Sequence, residues 1–161
     1  MDYDIQRFTR HCAATGRELP PGEPFYSVLV VEGSETKRYD YSAEAWKGPP
    51  EGALGWWKSQ VPDRNTGRIG WAPNDVMLEF FEELAGQPER QEMCYLLGLL
   101  LVRRRVMRHE ETETDAQGRE ILVLYCPRRE TTYKVAAATP DPSRIEAIQE
   151  ELARLLFAGA D

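Results

Sequence analysis

Cysteine and histidine are scarce in this chain of 161 residues, at three and two copies, and that scarcity removes most metal and nucleophile chemistry from consideration. Three thiols at irregular spacing make no disulfide framework, so the expected setting is a reducing cytoplasm. A long apolar run is also missing. The longest, Met93 to Val102, is broken by Gly98 and falls well short of the ~20 residues that cross a bilayer. The N-terminal MDYDIQRF has no basic segment followed by an apolar one, so no signal peptide is expected and no membrane partner. There is no G-x-x-x-x-G-K-[ST] or G-x-G-x-x-G loop and no G-x-S-x-G, which leaves the common nucleotide sites and serine hydrolysis without support.

Positive charge is in the minority. Twenty Lys and Arg against 27 Asp and Glu give a net charge of −7, a balance that disfavours general affinity for nucleic-acid phosphates. Residues 1–72 hold 10 acids and 9 bases, and residues 73–161 hold 17 and 11. The excess is therefore a solvating surface of the C-terminal part. A hydrophobic content of 42% is that of an ordinary globular protein.

The first half reads as β-rich. Phe25 to Val31 is dense in β-branched and aromatic residues, Glu32-Gly33-Ser34-Glu35 is turn chemistry, and Thr36 to Tyr41 can return as the partner strand of a hairpin. Ser42 to Trp46 could form a short helix, and Gly48-Pro49-Pro50-Glu51-Gly52 excludes any regular ladder. Gly55 to Val61 is a third strand candidate, and Arg64 to Trp71 a loop or short extended return.

At Ala72-Pro73-Asn74-Asp75 the character changes. Asn74 is placed to cap a helix whose Met77, Phe80, Phe81 and Leu84 form one apolar stripe. A second helix, from about Pro88 to Arg104, is apolar on every side from Met93 to Val102, the pattern of a helix buried around its whole circumference. Strands are expected at Val106–Thr114, Glu120–Cys126 and Thr131–Ala137, the middle one central because it is apolar on both faces. Asp141-Pro142 then opens a final helix with Ile145, Ile148, Leu152, Leu155 and Leu156 on one face. The expected fold class is α+β: a β-rich module at 1–72 packed on an α-α-β-β-β-α domain at 73–161, its strands in an antiparallel meander.

Two short segments have the spacing of zinc knuckles. Cys12-Ala13-Ala14-Thr15-Gly16-Arg17 matches C-x-x-C-G-[KR] with threonine at the second cysteine, and Asp40-Tyr41-Ser42-Ala43-Glu44-Ala45-Trp46 matches D-Y-C-x-x-C-W with Ser42 and Ala45 at both. Structural zinc takes four sulfur or imidazole ligands; here Cys12 remains, with His11 its only nearby donor. Together with TGRELPPGEPFYSVLV, RYDYSAEAW and GPPEGALGWWKS, these segments resemble a bacterial protein family whose N-terminal half is similar to a zinc-ribbon or treble-clef-like module that has lost its metal. The resemblance covers residues 11–60. It implies a degenerate, metal-independent β-module, no cofactor, and no particular activity.

Catalytic constellations are incomplete. His11 is adjacent to Cys12 and points elsewhere, while His109 lies among acids on a strand, so neither is a base for a cysteine nucleophile. Cys94 and Cys126 read as core residues. Glu79, Glu82 and Glu83, and Glu110, Glu111 and Glu113, read as solvated faces. Arg103 to Arg105 sit where a helix dipole favours cations. What remains is aromatic: Trp46, Trp56, Trp57 and Trp71 all lie in the first half, with Tyr26, Tyr39 and Tyr41 nearby. Consecutive tryptophans on a strand must point to opposite faces, so one of Trp56 and Trp57 fills the core and the other covers a second surface. The candidate binding surface is accordingly Trp46, Trp56, Trp57, Trp71, Tyr39 and Tyr41, on a non-enzymatic cytoplasmic protein-interaction or adaptor protein. The alternative is a nucleic-acid- or ribosome-associated protein using Arg103 to Arg105 with Lys58, Arg64 and Arg68, and a third reading is an enzyme built on Cys12 and His11.

Overall fold

The computed structural model describes residues 11–33, 35–61, 71–138 and 140–157. Arg64 and Arg68, and the segment before Trp71, lie outside them. The described residues are mixed α+β, with two three-stranded antiparallel sheets and three α-helices. It divides into two compact units, Met1–Glu79 with Ala153–Asp161, and Phe80–Leu152.

In the first unit, strands β1 (Pro24–Glu32), β2 (Glu35–Ser42) and β3 (Ala53–Gln60) form a sheet in the order β2-β1-β3. The β1-β2 hairpin holds one unbroken register, from Phe25 opposite Ser42 to Glu32 opposite Glu35. Ser42 to Trp46 is a single turn rather than a helix, closed by the amides of Ala45 and Trp46 on the Ser42 carbonyl at 3.1 and 3.0 Å. Too few residues follow before Pro49-Pro50 for a helix to propagate.

Gly55 of β3 stands opposite Leu29, just before a bulge between Leu29 and Val30. A Cβ at Gly55 would lie 2.9 Å from Val76 Cγ2, and Val76 belongs to helix α1 (Asn74–Ala85). The missing side chain lets the first turn of the helix sit on the sheet. Gly55→Ala is therefore expected to destabilise the fold by about 1–3 kcal/mol through overpacking, read as a lower urea midpoint at unchanged slope. Asn74 does not act as the cap: it is already helical, the Met77 amide bonds to the Pro73 carbonyl, and Asn74 Oδ1 is buried without a partner.

In the second unit, one turn of 3-10 helix, Pro88–Arg90, leads into α2 (Gln91–Arg103). Strands β4 (Arg108–Thr114), β5 (Glu120–Cys126) and β6 (Thr131–Ala136) follow as an antiparallel sheet with β5 central. Gly98 makes the helix–sheet contact close, since a Cβ there would meet Leu124 Cδ1 and Phe81 Cε1 at 3.3 Å. The outward face of β5 is covered by its neighbours' side chains: Arg108 lies over the Tyr125 ring at 5.2 Å, and Lys134 pairs with Glu113 at 3.1 Å. Long basic side chains can shield apolar surface with their stems, which explains two apolar faces on a strand with one protein layer behind it.

α2 departs from the sequence expectation. Met93, Cys94, Leu97, Gly98 and Leu101 are buried, but Leu99 is 40% exposed, so the helix buries one face and not its whole circumference. It ends with Arg105 in the left-handed region at φ 64°, where the amides of Arg104 and Arg105 bond to the Leu100 and Val102 carbonyls. Helix α3 (Pro142–Leu156) starts as its sequence suggests, with Asp141 Oδ1 accepting from the Arg144 amide at 3.0 Å. The Ser143 hydroxyl, and then that bond, hold the Asp141 carboxyl below its usual range. Among the described residues no helix is long and apolar enough to cross a membrane.

Candidate functional site

Two turns converge at Cys12. The first is closed by the Cys12 amide on the Arg17 carbonyl (2.8 Å) and the Gly16 amide on the Cys12 carbonyl (2.7 Å), with Gly16 at φ 74°. It is tied to β2 by the Ala13 amide on the Asp40 carbonyl at 2.7 Å. The second is the Ser42–Trp46 turn. Cys12 is 1% exposed and packs with Leu19, Phe25 and Val61, against which Tyr41 and Ala45 also lie. Its thiol donates to Ser42 Oγ at 3.7 Å.

Burial pushes the Cys12 thiol up, but hydrogen bonds from the Thr15 side chain and the amides of Ser42, Thr15 and Ala14 outweigh it and bring the pKa down to about 6. The positions singled out by knuckle spacing, Cys12, Thr15, Ser42 and Ala45, thus share one small cluster. Only one of the four carries a thiol, and two hydroxyls and a methyl do not supply the donor set of structural zinc. Among the described residues no group of three or more His, Cys, Asp or Glu is placed to hold a metal ion. His11 is exposed while Cys12 is buried.

The inward face of the same sheet carries a buried polar cluster that sequence reasoning missed. Arg38 Nε donates to Asp40 Oδ1 at 3.0 Å, Ser27 Oγ to the same oxygen at 2.6 Å, and Arg38 Nη2 to Ser27 Oγ at 2.9 Å. Arg38 Nη1 then reaches the end of α3, donating to the carbonyls of Phe157 at 2.5 Å, Leu155 at 3.3 Å and Arg154 at 3.4 Å. The last carbonyls of a helix have no partner within it, and a buried guanidinium supplies one here together with favourable charge. Its carbon Cζ lies 4.9 Å from the centre of the Trp57 ring.

The outward face is aromatic. Tyr26 of β1 stands opposite Tyr41 of β2 and Lys58 of β3, while Trp56 stands opposite Val28. The second turn lays Trp46 onto this face, stacked on Tyr26 with centroids 5.0 Å apart and planes 5° from parallel. Tyr41 is 5.5 Å from Trp46, and Trp56 is 6.0 Å from Tyr26 and 5.8 Å from Trp46. Aromatic pairs of this kind contribute about 0.5–1.5 kcal/mol each beyond area burial, so the rings hold one another in place. Trp56 is left 46% exposed, the largest exposed apolar side chain described.

The six candidate residues therefore separate. Trp46, Trp56 and Tyr41 come together, joined by Tyr26. Tyr39 is on the same face, its hydroxyl donating to Glu32 Oε2 at 2.7 Å. Trp57, at 4% exposed, points inward with Arg38, and Trp71 packs edge-on against Phe157 at 4.6 Å; both are packing residues, not parts of the exposed face. Glu82, expected on a solvated face, instead accepts from the Tyr133 hydroxyl and faces Arg129 at 3.7 Å. Comparison of the chain with protein-family models, with curated proteins and with solved structures finds no match.

Proposed function

We propose that the chain is a non-enzymatic cytoplasmic binding protein, in which a degenerate, metal-free zinc-ribbon-like module presents the Tyr26–Tyr41–Trp46–Trp56 face to another protein. The observation that carries this reading is Trp56, an indole 46% exposed at the head of a preorganised aromatic cluster. Covering the exposed part of this ring with a partner is favourable, by roughly 25 cal/mol per Å² of apolar surface removed from water. Tryptophan and tyrosine are also the residues on which binding energy concentrates. The metal-free module is supported by the meeting of the two knuckle turns at Cys12 with Thr15, Ser42 and Ala45. All three cysteines are free and buried, in keeping with a reducing compartment.

The test is capture of a partner from native extract by the tagged protein, repeated with Trp56→Ala. Trp56→Ala removes two ring contacts, so stability should fall by about 1–3 kcal/mol while the protein stays folded and the partner is lost. Equal recovery by a folded Trp56→Ala protein would remove the face from the binding role.

A further inference from the structure

Six arginines meet at one end of the second unit. Helix α2 passes into β4 through Arg103-Arg104-Arg105-Val106-Met107-Arg108, a link held short by the Val106 and Met107 amides on the Leu101 carbonyl at 2.9 and 3.2 Å. In the antiparallel register Arg108 stands opposite Tyr125, and Cys126 opposite Thr131. The β5–β6 turn, Pro127-Arg128-Arg129-Glu130, therefore leaves the sheet at that same end, about 10 Å away across two strand spacings. Together the two segments carry six arginines and one acid, whereas residues 113–120, at the opposite end of the sheet, carry three acids and one base. The net charge of −7 is thus unevenly spread along this sheet. Capping does not account for the arginine triplet. Backbone amides of Arg104 and Arg105 close the helix, while the side chains of Arg103, Arg104 and Arg105 are exposed and make no ion pair among the described residues. Arg105 and Glu130, with φ 64° and 48°, are also the two non-glycine residues of positive φ among the described residues. An arginine is held where glycine is the unstrained choice, and strain of this kind collects at functional sites.

We propose that this arginine end binds the phosphate backbone of a nucleic-acid duplex, independently of the aromatic face and of base sequence. Every cation in the two segments is an arginine, whose planar fork sets two donors on one phosphate. Charge fills the patch, and its exposed apolar neighbour, Leu99, lies one helical turn before Arg103. A protein partner calls for the reverse, an apolar centre with charge at the rim, and an anionic membrane calls for a whole apolar helix face to bury. A duplex carries one charge per ~1.7 Å of its axis, so a patch of this width meets several phosphates at once. A single strand needs open rings on which its bases stack. Neither tyrosine here offers one: Tyr125 lies under Arg108, and Tyr133 packs edge-on against Phe81.

The experiment is fluorescence anisotropy with the full-length protein and labelled duplex DNA, duplex RNA and polyglutamate, with cosedimentation on phosphatidylserine vesicles as a fourth arm. The two duplex arms tell which source supplies the backbone, and duplexes of unrelated sequence should bind alike. Each phosphate met on a DNA duplex steepens the fall of log K with log salt by about 0.9, so the triplet alone predicts a slope of about −2.7 or steeper, a loss of about fortyfold between about 50 and 200 mM salt. Arg105→Gly removes one charge at a backbone position that suits glycine, so the variant should fold at least as well and its slope should flatten by about 0.9. The triple variant Arg103→Gln, Arg104→Gln, Arg105→Gly should flatten it by about 2.7. Trp56→Ala, in the first unit, should leave duplex binding unchanged. No duplex binding at low salt, a slope unchanged in the folded triple variant, loss of binding with Trp56→Ala, or tighter binding to polyglutamate or to the vesicles would each overturn the proposal.

Discussion

Arg38→Ala is expected to cost about 3–5 kcal/mol of folding stability, the range for breaking a buried ion pair by removing one partner. The side chains of Arg38 and Asp40 are 4% and 8% exposed. Without the guanidinium, Asp40 keeps a hydroxyl from Ser27 but loses the charge of Arg38, and the carbonyls of Leu155 and Phe157 lose the donor that closes α3. Since single domains are stable by only about 5–15 kcal/mol, the variant should melt far below the parent. Arg38→Lys should recover only part of the loss, because an ammonium cannot address a carboxylate, a hydroxyl and three carbonyls from one plane. Removing Asp40 as well should cost less than the two single changes combined, since the two share one interaction. Urea unfolding of the parent and these four variants, the single Asp40→Ala included, checks this; a loss under about 1 kcal/mol for Arg38→Ala would show that the cluster does not hold the helix end.

A second large effect is expected from the triple variant Thr15→Cys, Ser42→Cys, Ala45→Cys. If the two turns at Cys12 are knuckles that have lost their ligands, three thiols added to Cys12 should create a tetrahedral site. The folded variant should then take one Co(II) per chain with the absorption of a tetrathiolate, and Zn(II) should displace it. Apparent binding free energies for structural zinc are about 10–16 kcal/mol near neutral pH, and each kcal/mol raises the melting temperature of a chain this long by about 2–4 °C. Changing Cys12 to serine in the same background should abolish the spectrum. A folded triple variant that binds no cobalt would mean that the turns merely share a spacing with knuckles.

The sequence carried the framework of this fold but not the polar character of the buried face of β2. Alternation, turn residues and caps located the β1-β2 hairpin, β3, the central place of β5 and the Asp141-Pro142 start of α3. Two tryptophans in a row implied opposite faces, and Trp56 and Trp57 take them. In β2, however, the aromatic residues Tyr39 and Tyr41 alternate with Thr36, Arg38, Asp40 and Ser42, and ordinary binary patterning would put the rings inside. The polar set is the buried one. It is tolerated because Ser27, Asp40 and Arg38 satisfy one another and because Arg38 finds carbonyls between 116 and 119 residues away in the chain, a partnership that no local pattern encodes. The same limit applies to α2, whose apolar run does not say which neighbours it will meet, and so does not foretell that Leu99 is left exposed. Trp71 could not be assigned from sequence for a similar reason: its packing partner is Phe157, at the far end of the chain.

The role of the aromatic face can be measured without replacing any residue. Hydroxyl-radical footprinting of the free protein and of its complex with the captured partner reports the exposure of each ring in both states. Trp56 should react readily in the free protein and be protected in the complex along with Trp46, Tyr26 and Tyr41, while Leu99, exposed in the other unit, should react equally in both. Trp56 reacting at the same rate free and bound, with protection elsewhere, would contradict the assignment of this face as the binding surface.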